Sequence, residues 1–154
     1  MGVGSQLSFA LSAHREIAFP PMTADMRLGT SSFTAAGWAG SFYPLGTKQA
    51  DYLSFYSTRF DTVEIDSTFY GIPTVEVVEN WARKTPSGFV FSLKAPQAIT
   101  HEKVLIGCDW DCEKFVQTVS FLGEKLGPIV FQFPFFDERV FDTPVNFCRA
   151  SSRS

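Results

Sequence analysis

The sequence lacks the marks of several specialised classes of protein. It contains three cysteines, Cys108, Cys112 and Cys148, an odd number at spacings that suggest no disulfide framework. This pattern excludes the small disulfide-stapled class and favours reduced thiols in a cytoplasmic protein. Inert thiols are favoured over a zinc site at Cys108 and Cys112, because His101 is the only other soft ligand nearby and such a site needs more ligands.

Long apolar runs and an excess of positive charge are also missing. The polar residues 14–16 interrupt the first stretch, so we expect neither a signal peptide nor a membrane-spanning helix. The formal net charge of -3 does not indicate a nucleic-acid partner. Pro20 and Pro21 separate this stretch from the first strand-like pattern, so residues 1–25 are predicted to be an unstructured leader. Residues 148–154 show no apolar period and are predicted to be a disordered tail.

The chain does contain enough apolar material for one core, with 45% hydrophobic and 16% aromatic residues. From Met26 onward, short apolar runs alternate with helical patterns. We predict four strands, at residues 27–31, 62–66, 89–94 and 129–133. Three predicted helices separate them: one after Thr47, one after Pro73 with Thr74 as its N-cap, and one from Asp111 that Gly127 and Pro128 end.

Strands joined through helices are parallel neighbours, which leaves an open doubly wound sheet or a closed barrel. In each predicted strand, one set of alternate residues is apolar and the other is small or polar. A buried open sheet needs two apolar faces, whereas a barrel lumen accepts polar groups at its top. We therefore predict the N-terminal half of a TIM-type (β/α)8 barrel over residues 26–147, with four parallel strands and the helices outside. The four units account for about half of the roughly 250 residues that such barrels use.

The candidate catalytic residues are Glu64, Lys94 and His101. Glu64 and Lys94 are predicted to face the lumen from adjacent strands, so a salt bridge between them is expected. The pair is either structural, or Glu64 acts as a general base or metal ligand while Lys94 binds an anionic group. His101 follows the third strand at the same face, where an imidazole can transfer protons near neutral pH.

The candidate ligand-binding residues are Ser31, Asp66, Tyr70 and Gln132. Ser31 lies in a short segment whose backbone N–H groups can bind phosphate, although no glycine-rich fingerprint is present. Asp66 and Gln132 share the polar set of alternate residues near the strand ends. Tyr70 belongs to an aromatic run that either stacks on a ligand ring or, as we favour, packs under the loops: Trp38, Phe42, Tyr43, Phe69 and Tyr70.

A metal site is a further alternative. Asp66 could join Glu64, His101 and Glu102 as oxygen and nitrogen ligands of a divalent cation. This alternative is disfavoured, so we assign no metal, and the cofactor stays unknown.

Six sequence blocks resemble the YecE-like family (domain of unknown function 72). They are residues 28–31, 38–44, 63–70, 94–96, 99–102 and 131–134, in the order and spacing of that family. The resemblance covers residues 26–147 and implies a TIM-type barrel. Family members are about twice this structured length, commonly have Asn at the position of Asp66, and lack an established reaction.

Three functional hypotheses follow. The first is an enzyme-derived half barrel, a hydrolase or lyase acting on a polar or phosphorylated small molecule through Glu64, Lys94 and His101. The second is a non-catalytic module that binds a ligand or partner through its aromatic loops. The third is a truncated product without a function of its own, whose open sheet edges invite pairing with a second copy.

Overall fold

A computed structural model describes residues 26–135 of the chain. Three strands form one parallel sheet in the order β1-β2-β3. The strands are β1 (Thr62–Ile65), β2 (Val90–Lys94) and β3 (Leu126–Val130), and the helices are α1 (Tyr52–Tyr56), α2 (Val75–Arg83) and α3 (Asp109–Val119). Each pair of neighbouring strands is connected through helices, which parallel pairing requires. The predicted α/β class is therefore confirmed, but the sheet has three strands where four were expected.

The missing strand is the segment 27–31, which lies beside β1 without forming a regular ladder. The backbone N–H of Glu64 donates to the carbonyl of Thr30 at 2.9 Å. A parallel ladder would then have the Thr30 N–H donate to the carbonyl of Thr62. Instead, the hydroxyl of Tyr56 lies between them, accepting from Thr30 N at 2.8 Å and donating to Thr62 O at 3.1 Å. A tyrosine on α1 thus replaces a ladder bond, which is why the strand prediction is wrong here.

The last strand begins three residues earlier than predicted. Helix α3 gives way to a short 3-10 segment, Ser120–Lys125, and Gly123 within it adopts a left-handed backbone with φ 59°. The helix therefore ends before Gly127 and Pro128, which lie inside β3. Gly127 fits there because a Cβ on it would lie 2.4 Å from Cγ1 of Val90. Gln132, predicted near a strand end, follows the strand and is exposed.

The apolar face of the sheet matches the prediction. Val63 and Ile65 on β1 and Phe91 and Leu93 on β2 are buried, while the residues between them are half-buried. They pack against the inner faces of the helices, to which Leu53, Tyr56, Val78, Trp81, Phe115 and Val119 contribute. The core therefore lies on one side of the sheet, and the polar residues lie on the other side.

Some predicted features are confirmed only in part. Thr74 occupies the N-cap position of α2, but its hydroxyl caps no backbone N–H. Thr47 does not cap α1, since a 3-10 turn, Gln49–Asp51, precedes that helix. Within residues 26–135, no helix has the length and apolar character needed to cross a membrane. The predicted leader, the predicted tail and Cys148 lie outside the described residues.

Candidate functional site

The candidate site is built where β1 and β2 end. A 3-10 turn, Asp66–Phe69, follows β1 directly and contains the buried Thr68. The hydroxyl of Thr68 lies 2.8 Å from the carbonyl of Ile65 and 2.6 Å from the carbonyl of Lys94, so its one proton is shared between the two strand ends. This link fixes the turn, and with it the position of the next residue, Phe69.

Phe69 connects the site's cation to its histidine. The ammonium nitrogen of Lys94 lies over the Phe69 ring, 4.6 Å from its centroid. His101 approaches the same ring edge-on, with the two ring centroids 4.9 Å apart. An ammonium over an aromatic face is held by the ring quadrupole without being neutralised. The charge of Lys94 is thus positioned by an apolar ring and stays available to an anion.

His101 lies on a π-helical turn, Ala98–Glu102, in the segment that follows β2. Its Nδ1 is 2.9 Å from the hydroxyl of the buried Thr100. Its Nε2 has no hydrogen-bond partner among residues 26–135. One imidazole nitrogen is therefore fixed, and the other can exchange a proton with a ligand.

The backbone after His101 is strained. Val104 and Leu105 both have positive φ angles, 47° and 63°, although neither is glycine. A β-branched residue rarely adopts this conformation, and such strain commonly occurs at functional sites. A π-turn and two left-handed residues in one connection distinguish this loop from an ordinary connection between a strand and a helix.

The expected salt bridge between Glu64 and Lys94 is not formed. In the register of the sheet, Glu64 is opposite Ser92, and Lys94 is opposite Val130. Lys94 extends over Phe69 instead, and neither charged group has an ion pair with any other described residue. The prediction failed because strand parity gives the shared face but not the rotamer of a long side chain.

The predicted ligand-binding residues are dispersed along the same edge of the sheet. Ser31 ends the segment 27–31 and Gln132 follows β3, and both are exposed, as is Asp66 at the start of its turn. Tyr70 is 76% exposed, and its ring meets Phe69 edge-on at 5.3 Å between centroids. Only Tyr70 therefore adjoins the group formed by Lys94, Phe69 and His101 through a contact that the structure describes.

The rest of the aromatic run belongs to the packing under the loops. Phe42 packs against Trp38 and Tyr43, with ring centroids 5.1 and 4.8 Å apart, and Tyr43 stacks on Tyr52 at 3.9 Å. Tyr43 is almost completely buried and donates a hydrogen bond to the carbonyl of Phe33. Burial, reinforced by the nearby tyrosines, raises the pKa of Tyr43 to about 12. The run therefore divides into a structural group and the pair Phe69 and Tyr70 at the site.

The described residues bring no metal centre together. No three side chains of His, Cys, Asp or Glu in the described part of the chain are grouped as metal ligands, so Asp66, Glu64, His101 and Glu102 do not form the alternative cation site. The sequence reasoning also missed Thr68, which joins the two strand ends. The sequence feature that could have indicated this role is a hydroxyl side chain three residues after Ile65, the buried last residue of β1.

The parallel sheet, with helices between its strands and polar groups at the carboxyl ends of the strands, places this protein in the α/β class. Residues 27–148 match the family described as "Protein of unknown function DUF72". The chain belongs to that family.

Two curated relatives match part of the chain. The chain is 36% identical over 106 residues to UPF0759 protein YunF of Bacillus subtilis (strain 168), an alignment that covers 64% of this chain and 38% of the relative. It is 34% identical over 82 residues to UPF0759 protein YecE of Escherichia coli (strain K12), covering 53% of this chain and 30% of the relative. The chain thus spans well under half the length of these two relatives.

Solved structures agree on the fold. A DUF72 family protein from Thermotoga maritima MSB8 superposes with a TM-score of 0.64 at 30% identity, covering 81% of this chain and 50% of that one. A DUF72 family protein from Enterococcus faecalis V583 superposes with a TM-score of 0.58 at 23% identity, covering 80% and 44%. The family's description assigns no reaction, so a function must be argued from the site itself.

Proposed function

We propose that the carboxyl end of the sheet binds a phosphorylated or otherwise anionic small molecule, with Lys94 as its cationic contact. The observation that carries this proposal is the position of the Lys94 ammonium over Phe69, 4.6 Å from the ring centroid, without an ion pair among the described residues. A cation that is positioned but not neutralised favours an incoming anion. Carboxyl ends of parallel strands are also where ligands bind in α/β proteins.

We further propose that the site acts as a hydrolase or lyase in which His101 transfers a proton. The support is its fixed Nδ1 and its Nε2, which is left without a described partner. Glu64 is the candidate general base, since its half-buried carboxylate also lacks an ion pair within the described chain. Proton transfer of this kind contributes about 10²–10⁴-fold to a rate, so loss of either residue affects turnover more than anion binding.

The sheet itself is proposed to be one half of a (β/α)8 barrel. Three parallel strands follow one another in sequence order, with their core on one face and their polar residues on the other. The chain covers half of the solved relative from Thermotoga maritima. In a barrel, the polar face becomes the lumen, and the group around Lys94 lies at its catalytic end.

A second candidate function is a non-catalytic binding module. The exposed ring of Tyr70, which meets the ring of Phe69, supports it, because an exposed aromatic ring suits ligands that carry a ring of their own. Trp38, another member of the aromatic run, lends less support because its ring packs against Phe42. One variant distinguishes the two functions. If the chain is a binding module, Tyr70→Ala abolishes the binding of the ring-carrying ligand. If it is an enzyme, Tyr70→Ala leaves the binding of inorganic phosphate largely intact.

The experiment that tests anion binding is isothermal titration of the whole chain with inorganic phosphate. The variant Lys94→Met keeps the aliphatic part of the side chain and removes the charge. Lys114→Met is the matched control, since Lys114 also lies over an aromatic ring, that of Trp110 at 4.8 Å, on helix α3. We expect Lys94→Met to weaken phosphate binding about tenfold or more, as befits a charged hydrogen bond, and Lys114→Met to have no effect. Equal affinity in all three proteins, or no binding at all, rejects the proposal.

A further inference from the structure

Two thiols lie in contact at the start of α3. Cys108 occupies the N-cap position, and Cys112 lies one turn later, with its backbone N–H donating to the Cys108 carbonyl at 2.9 Å. Their sulfur atoms are 3.5 Å apart, and both cysteines are free. Cys108 is buried and Cys112 half-buried, so Cys112 is the thiol that a small reagent reaches first.

We propose that Cys108 and Cys112 form a reversible intramolecular disulfide, a modification site that is separate from the proposed anion site. Residues four apart along a helix have α-carbons about 6 Å apart, which lies inside the range that disulfides span. The sulfur atoms must approach each other by about 1.5 Å to reach bonding distance. Cys108 has φ -104° and ψ 13°, outside the helical region, so its side chain is free of the rotamer limits of a helix interior.

The oxidant is a low-molecular-weight disulfide such as oxidised glutathione. The thiolate of Cys112 attacks one sulfur of the oxidant, and a mixed disulfide forms as the first thiolate leaves and takes up a proton. The thiolate of Cys108 then attacks the sulfur of Cys112, the second thiol is released, and the protein disulfide is complete. Two electrons pass from the protein sulfurs to the oxidant, and the two thiol protons end on the two released thiols.

The reaction is expected to be slow at neutral pH. Burial, and then the hydrogen bond between the two thiols, raise the pKa of Cys112 to about 11, so little of it is thiolate at pH 7. The rate of oxidation should therefore rise about tenfold for each pH step of one between pH 7 and 10. A closed disulfide also excludes the thiols from binding soft metals.

The test is mass spectrometry of the full chain after oxidation by glutathione disulfide at pH 9 and blocking of the remaining thiols. Trypsin cleaves after Lys103 and Lys114, so one peptide, residues 104–114, carries both cysteines. We expect that peptide to be lighter by two hydrogens, to carry no glutathione, and to regain its mass on reduction. Cys148→Ser should give the same result, whereas Cys108→Ser should stop at the mixed disulfide on Cys112.

Three results overturn the proposal. The first is a 104–114 peptide with both thiols blocked, the second is one that retains glutathione in the unsubstituted protein, and the third is one joined to the peptide that carries Cys148. Anion binding by the reduced chain is measured separately, so either proposal can fail without the other.

Discussion

The ammonium group of Lys94 lies 4.6 Å from the centre of the Phe69 ring. Phe69 is in turn the edge-on neighbour of His101, so one apolar ring joins the cation of β2 to the histidine of the following loop. This relationship explains why Lys94 does not pair with Glu64 although both belong to the same face of the sheet. A cation held by the quadrupole of an aromatic ring is not neutralised by an opposite charge, so it can still attract an anionic ligand.

Replacing the ring should weaken the site without removing its charge. In Phe69→Leu the Lys94 ammonium loses its cation–π partner, which is worth about 0.5–1 kcal/mol at a partly exposed position. We expect a two- to fivefold loss of phosphate affinity, measured by titration calorimetry. The control Trp110→Leu removes the comparable partner of Lys114 and should leave the affinity unchanged. An equal loss in both variants would mean that the effect is not local.

The hydroxyl of Thr68 should contribute to stability. Thr68→Val preserves shape but leaves the carbonyls of Ile65 and Lys94 without this donor, which costs about 1–3 kcal/mol for a buried site. The midpoint of urea denaturation should fall accordingly. Thr58 offers a control, because its hydroxyl donates to the carbonyl of Phe55 at an exposed position, and Thr58→Val should cost less than about 0.5 kcal/mol. A Thr68 variant as stable as the Thr58 variant would refute the role of this link.

The hydroxyl of Tyr56 should hold the segment 27–31 against β1. Tyr56→Phe removes the acceptor for Thr30 N–H and the donor to Thr62, so we expect faster amide hydrogen exchange at Thr30 and a loss of about 1–2 kcal/mol. Tyr52→Phe is the matched control, since that ring stacks on Tyr43 and its hydroxyl has no hydrogen bond with the described residues. Unchanged exchange at Thr30 would show that the Tyr56 hydroxyl does not hold the segment.

Stability should depend on pH through Tyr43 at high pH. Its pKa is about 12 in the folded protein against 10.0 for an unperturbed tyrosine, so the folded state retains the proton over a range in which the unfolded state has lost it. The contribution is complete below pH 10 and is lost as the pH rises from 10 to 12. It amounts to roughly 2–3 kcal/mol. Denaturation of the unsubstituted chain and of Tyr43→Phe between pH 9 and 12 checks this, because other groups that titrate there affect both proteins. Parallel pH profiles would contradict the assignment.

The sequence predicted the fold correctly where alternate residues of a strand all face the same environment. The alternation of Val63, Ile65, Phe91 and Leu93 identified the buried face because a strand exposes alternate residues to opposite sides. The prediction failed where a side chain replaces a backbone group as a hydrogen-bond partner. The hydroxyl of Tyr56 takes the place of a ladder bond, and no local pattern in residues 27–31 reveals that competition.

The candidate site could also be predicted from the sequence only where strand and loop positions determine it. Parity placed Glu64 and Lys94 on one face, and loop position placed His101 near them. The direction of the Lys94 side chain depends on Phe69, whose place is fixed by the contact of Thr68 with the carbonyls of Ile65 and Lys94, which lie 3 and 26 residues from Thr68 in the sequence. Such tertiary contacts have no signature in a short stretch of sequence.

The most direct test of the account is a titration with inorganic phosphate followed through the imidazole nitrogen resonances. The chain contains two histidines, His14 and His101, so the two sets of signals serve as site and comparison. We predict that the His101 resonances shift and saturate with the dissociation constant found by calorimetry, that those of His14 do not, and that Lys94→Met abolishes the shift at the same phosphate concentrations. If the His101 resonances stay unchanged while phosphate binds, or if both histidines respond alike, the anion site is not at Lys94, Phe69 and His101.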